Sequence, residues 1–197
     1  FSRISFSKDP ALTPTLIEQP LSLAALSASN PGLLIGPTGN PNYSSQSGTR
    51  TFYRKIQNTT GVSNVGIGYL ALLDNTIGHS NVSLGRETLR LNTTGCQNVA
   101  IGAFALCKNT TGINSVAIGL RALECNTTGQ TNVAIGTCTL RANTNGCFNV
   151  AVGFQSLLDN TTGFDNVALG YQALKENTTG RFNIGIGTQA GLSNTSG

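Results

Sequence analysis

One histidine, six acidic side chains and five cysteines are what residues 58–197 offer for acid–base, metal or thiol chemistry. The carboxylates are Asp74, Glu87, Glu124, Asp159, Asp165 and Glu176. General acid–base catalysis needs two such groups held close together in unlike surroundings, and a calcium site needs several oxygens converging on one point. No pair of them recurs at a spacing suited to either chemistry, so neither is expected. His79 stands alone in a turn, as a solvated residue does. The cysteines, Cys96, Cys107, Cys125, Cys138 and Cys147, show none of the paired spacings of a zinc site. Cys107 and Cys125 come near enough to pair, whereas Cys96 and Cys147 are expected roughly 14 Å apart, too far for a disulfide. Free thiols are the expectation, as in a chain assembled in a reducing compartment. Gly-Ile-Gly and Gly-Thr-Gly lack the strand–glycine–helix setting and the lysine of a phosphate loop. No catalytic, cofactor or metal site is expected, and the chain does not read as an enzyme.

The elements that carry these residues explain why they are scattered. From Asn58 onward the chain repeats one 17-residue unit eight times and begins a ninth, with no insertion. Such constancy makes each repeat one structural unit stacked on the next. Position 1 is Asn58, Asn75, Asn92, Asn109, Asn126, Asn143, Asn160, Asn177 and Asn194; position 2 is Thr; positions 4 and 11 are Gly. Position 7 is Asn in all full repeats but one, where it is Ser115. Positions 8 to 10 read Val-Ala-Ile or close to it and predict a short strand, with 8 and 10 on one face and 9 on the other. Asn-Thr-Thr-Gly predicts a turn. Positions 12 to 16 predict a second segment, either a strand or one helical turn, whose Leu at position 15 returns to the core. The expected fold is all-β, a parallel β-roll or β-solenoid of 17-residue repeats.

Two ladders follow from stacking. The asparagines Asn58 to Asn177 at position 1 are expected to bond side chain to side chain along the axis. Val65, Val82, Val99, Val116, Val133, Val150, Val167 and Ile184 at position 8 should stack in register. Position 9, facing away from the Val/Ile side, holds only small residues: Gly66, Ser83, Ala100, Ala117, Ala134, Ala151, Ala168 and Gly185. A strand face in water would carry Thr, Lys or Glu. The opposite wall of the same coil would explain the small residues, and so would another copy of the chain. The second is preferred here, because one 17-residue coil encloses little volume.

The Asn-Val-Ala-Ile-Gly motif, at residues 98–102 and 132–136, with Ser-Val-Ala-Ile-Gly at 115–119, resembles the head repeats of trimeric autotransporter adhesins, the YadA-like β-roll. Asn-Thr-Thr-Gly arrays of this kind are also similar to those of bacterial surface proteins and of phage and viral fibres. The resemblance covers residues 58–197. It implies a left-handed roll with three chains side by side, placed at the cell or virion surface or outside the cell, where it attaches to a host receptor or glycan. The period of 17 is longer than is typical of those heads.

Residues 1–57 are unlike the rest. They hold all six prolines, Pro10, Pro14, Pro20, Pro31, Pro37 and Pro41, which a ladder strand excludes. This segment is expected to cap the array or dock another subunit. It carries five basic and two acidic residues, so +3, and the array seven and six, so +1. Only Thr51–Lys55 combines basic and aromatic residues, so nucleic acid is not an expected partner. No apolar run nears the roughly 20 residues of a membrane span. The expected partner is a second copy of the chain, in a trimer or in a filament polymerised end to end. An alternative is an ice- or glycan-binding face formed by the Thr59, Thr76 and Thr93 row. Asn-x-Ser/Thr sequons, such as Asn92-Thr93-Thr94, become glycosylation sites if the turn faces outward.

Overall fold

The computed structural model describes residues 60–197, so Asn58 and Thr59 of the predicted rows, and the whole of the predicted N-terminal segment, lie outside the described residues. Residues 60–197 form one parallel β-solenoid, with no helix among them. Each coil contributes a three-residue strand at positions 8 to 10. In chain order these are β1 Val65–Ile67, β2 Val82–Leu84, β3 Val99–Ile101, β4 Val116–Ile118, β5 Val133–Ile135, β6 Val150–Val152, β7 Val167–Leu169 and β8 Ile184–Ile186. They pair in sequence order, each residue opposite the one 17 places on, as in Val99↔Val116 and Ala100↔Ala117. Seven steps of about 4.8 Å place β1 roughly 34 Å from β8 along the axis.

The strands are short because backbone hydrogen bonds run between coils around the rest of the perimeter too. The turn amide of Thr93 donates to the carbonyl of Thr110, Gly102 to Leu84, Phe104 to Arg86, and Leu106 to Ala122, all at 2.8–3.0 Å. A coil therefore satisfies its polar backbone only when a neighbour lies above or below it.

The second segment is neither strand nor helix. Its residues at positions 13 and 15 take left-handed backbone, as at Arg121 (φ 58°) and Leu123 (φ 51°), and so does position 6, as at Thr131 (φ 54°). Gly119 at position 11 has φ 133°, and a Cβ there would sit 2.5 Å from the carbonyl oxygen of Gly136. This glycine lets consecutive coils touch backbone to backbone at the corner where the strand ends.

The bore is narrow. One Leu per coil fills it, Leu72 through Leu174, against the small residues of positions 9 and 14. Here the position-9 expectation is corrected. Ser83, Ala100, Ala117, Ala134, Ala151 and Ala168 have no exposed surface in the single chain, and Gly66 and Gly185 are buried with them. They line the interior and cannot be inter-chain contacts. The Val and Ile at positions 8 and 10, expected on the core side, point outward instead.

Candidate functional site

Inside the coil the asparagines form two ladders. At position 1, each side-chain amide donates upward-chain to its predecessor and sideways to its own turn. Asn126 Nδ2 donates to Asn109 Oδ1 at 2.8 Å and to the Gly129 carbonyl at 3.0 Å. The bonds repeat from Asn92→Asn75 to Asn177→Asn160. These side chains are fully buried. A glycosyltransferase cannot reach their Nδ2 in the folded array, so these sequons are closed by the fold. A second ladder runs at position 7, which sequence reasoning missed although Asn recurs there in all full repeats but one. Asn98 donates through Nδ2 to Asn81 Oδ1 at 3.2 Å and to the carbonyl of Gly112 at 2.9 Å, while its backbone amide donates to the same Oδ1 at 3.0 Å. Ser115 interrupts this second ladder: its hydroxyl accepts from the Asn132 amide but reaches neither Asn98 Oδ1 nor Gly129.

The outer face of the sheet is a two-residue-wide aliphatic strip. Position 8 gives Val65, Val82, Val99, Val116, Val133, Val150, Val167 and Ile184, in register; position 10 gives Ile67, Leu84, Ile101, Ile118, Ile135, Val152, Leu169 and Ile186. No polar residue breaks it over eight coils, and Val65 and Ile184 at its ends are 47% and 73% exposed. Proteins that stay monomeric rarely show so long a contiguous apolar surface.

The threonine row lies at a corner. From Thr76 to Thr178, each hydroxyl donates to the carbonyl of the threonine one coil on, at 3.0–3.1 Å. These hydroxyls belong to the stack, and a lattice or sugar meets only what remains of them.

The second segment carries the charge. Glu87 receives Arg86 at 3.1 Å and Arg90 at 3.0 Å, and Glu124 receives Arg141 at 2.8 Å, with Arg121 at 4.0 Å. Phe104 joins the two groups: the Arg86 guanidinium lies 5.2 Å from its ring centre and that of Arg121 lies 5.7 Å away. The carboxylates are tucked in, with side chains 11% and 16% exposed, while the four arginine side chains are 40–62% exposed. The hydrogen bond that Arg141 donates to Glu124 raises the pKa of the guanidinium further. Further along, the same columns change character. Phe154 and Tyr171 stack with ring centres 5.6 Å apart, beside a chain of amides in which Gln189 donates to Gln172 and Gln172 to Gln155.

The thiols are all free. Burial first, and then Glu87, push the Cys107 thiol up, which disfavours its thiolate. Cys96 and Cys147 share one geometry, each Sγ donating to the carbonyl two residues back. Among the described residues no three His, Cys, Asp or Glu side chains are grouped as a metal ion would require. No family model, curated protein or solved structure matches this chain.

Proposed function

We propose that the chain is a structural rod, a fibre- or adhesin-type element that assembles with copies of itself through its outer aliphatic strip and serves for attachment at a cell or virion surface. The observation that carries this reading is the unbroken Val/Ile/Leu strip at positions 8 and 10, solvent-facing in one chain over eight coils. Burying it in an assembly removes apolar surface from water at about 25 cal/mol per Å². Three copies side by side would join their strips at a common axis and extend the thin Leu core of each coil. The resemblance to trimeric adhesin heads supports the number three and a left-handed coil. The variable outward positions would then meet the receptor or glycan. No catalytic step is assigned.

Light scattering on the full chain tests this. A native mass near three times 20.4 kDa is expected. Val116→Lys with Ile118→Lys, both outward, should dissociate the assembly while the circular-dichroism spectrum persists. A monomeric wild type would sink the proposal. Large polydisperse species would replace the discrete trimer with an end-to-end filament.

A further inference from the structure

We propose that the Arg-lined seam of the second and fifth coils, and those between, is a docking line for an anionic polysaccharide, one bearing sulfate or carboxylate groups along an extended chain. The inference is independent of how the outer strip is covered. Five of the seven basic side chains of residues 60–197, Arg86, Arg90, Lys108, Arg121 and Arg141, lie on this seam, with only two of the six acidic ones, so +3 there and −2 over the remainder. The two carboxylates are each shared by two guanidiniums and sit beneath them. A partner approaching from solvent therefore meets cations. Guanidiniums suit planar oxyanions, which they grip through two parallel N–H donors. The cations, with Lys108 standing for arginine in the third coil, follow the axis coil by coil, three steps of about 4.8 Å or roughly 14 Å from the second coil to the fifth, which fits a linear polymer.

Two features favour a sugar polymer over nucleic acid. Single-stranded nucleic acid binds where aromatic faces are free to stack on bases. The one ring in the seam, Phe104, is flanked by Arg86 and Arg121, so its faces are taken. Beyond the charged stretch, the same columns offer the amides of Gln155, Gln172 and Gln189 beside Phe154 and Tyr171. Amides and ring edges suit a hydroxyl-rich chain.

The test measures binding of the full chain to dextran sulfate, with unsulfated dextran and poly(dT) in parallel, across salt concentrations. Arg86→Gln with Arg121→Gln removes one guanidinium from each group and leaves Glu87 paired with Arg90 and Glu124 with Arg141, so the fold should persist. Expected are dextran sulfate binding that weakens with salt, at least about tenfold weaker binding by the double variant, and a shallower salt dependence. Arg50→Gln with Arg54→Gln and Lys55→Gln, which removes the basic cluster before the array, should retain most of the affinity. No binding, equal binding by the Arg86/Arg121 variant, or loss confined to the Arg50/Arg54/Lys55 variant would overturn the seam. Equal binding of unsulfated dextran would overturn the ionic basis, and tighter binding of poly(dT) would overturn the polysaccharide.

Discussion

At the scale of single residues, the buried amides set the stability. Asn126 makes three side-chain bonds, two as donor and one as acceptor from Asn143 at 2.8 Å. Asn126→Ala strips the partners of Asn109 Oδ1 and the Gly129 carbonyl in a dry interior, where each orphan costs about 1–3 kcal/mol. A loss of roughly 3–5 kcal/mol is expected in denaturant unfolding, comparable to Leu→Ala in a core. A loss under about 1 kcal/mol would mean that water fills the gap. Ser115 supplies the opposite experiment. Every other full coil holds Asn at this position, so the space exists. Ser115→Asn should rejoin Asn98 to Asn132, give Gly129 a second donor, and raise stability by about 1–2 kcal/mol. The position-1 ladder was predictable because period and residue type both marked it. The position-7 ladder carried the same mark and was read only as a feature of the motif.

At the scale of the element, the second segment is governed by backbone that the residue types conceal. Left-handed φ at a non-glycine costs on the order of 1–2 kcal/mol, yet every full coil carries it at positions 6 and 13. The stack over-determines these angles, since amides at those positions donate to the neighbouring coil, as Thr131 does to Ile113 at 2.9 Å. Thr131 is the worst suited, being β-branched and exposed. Thr131→Asn keeps that backbone bond and should stabilise by up to about 1 kcal/mol, read as a higher denaturation midpoint; an unchanged or lower midpoint would show that the threonine methyl contributes packing. Ala-Leu-Lys-Glu, at Ala173–Glu176, favours a helix locally, and Thr-Cys-Thr-Leu, at Thr137–Leu140, favours a strand. Both become the same turn, because coil-to-coil bonds outweigh propensity.

At the scale of the whole array, each coil touches only its neighbours, so stability is a sum of coil and interface terms. Deleting residues 126–142, one full repeat, brings Asn143 onto the coil that ends at Cys125 and preserves every ladder. A folded protein with a modestly lower unfolding midpoint is expected by circular dichroism. Deleting residues 126–134 puts all later ladders out of register and should abolish the cooperative transition. If both deletions behaved alike, the register of the ladders would not be what specifies the stack.

The period, the parallel stacking and the position-1 asparagine ladder were legible in the sequence alone, because eight copies of one 17-residue unit leave a chain no other way to satisfy its backbone and its amides. It also determined that positions 8 and 10 share a face opposite position 9. Which face turns inward was decided only by closure of the coil. A 17-residue perimeter encloses room for one Leu, two Asn and a few small side chains, so the alanines go in and the valines and isoleucines go out. Alternation within a strand fixes two sides without naming them, and the bore of the solenoid chose between them by volume. The charged seam had the same origin: Arg86, Phe104, Arg121 and Arg141 are far apart in the chain, and only the rise of one coil per strand spacing sets them in a line.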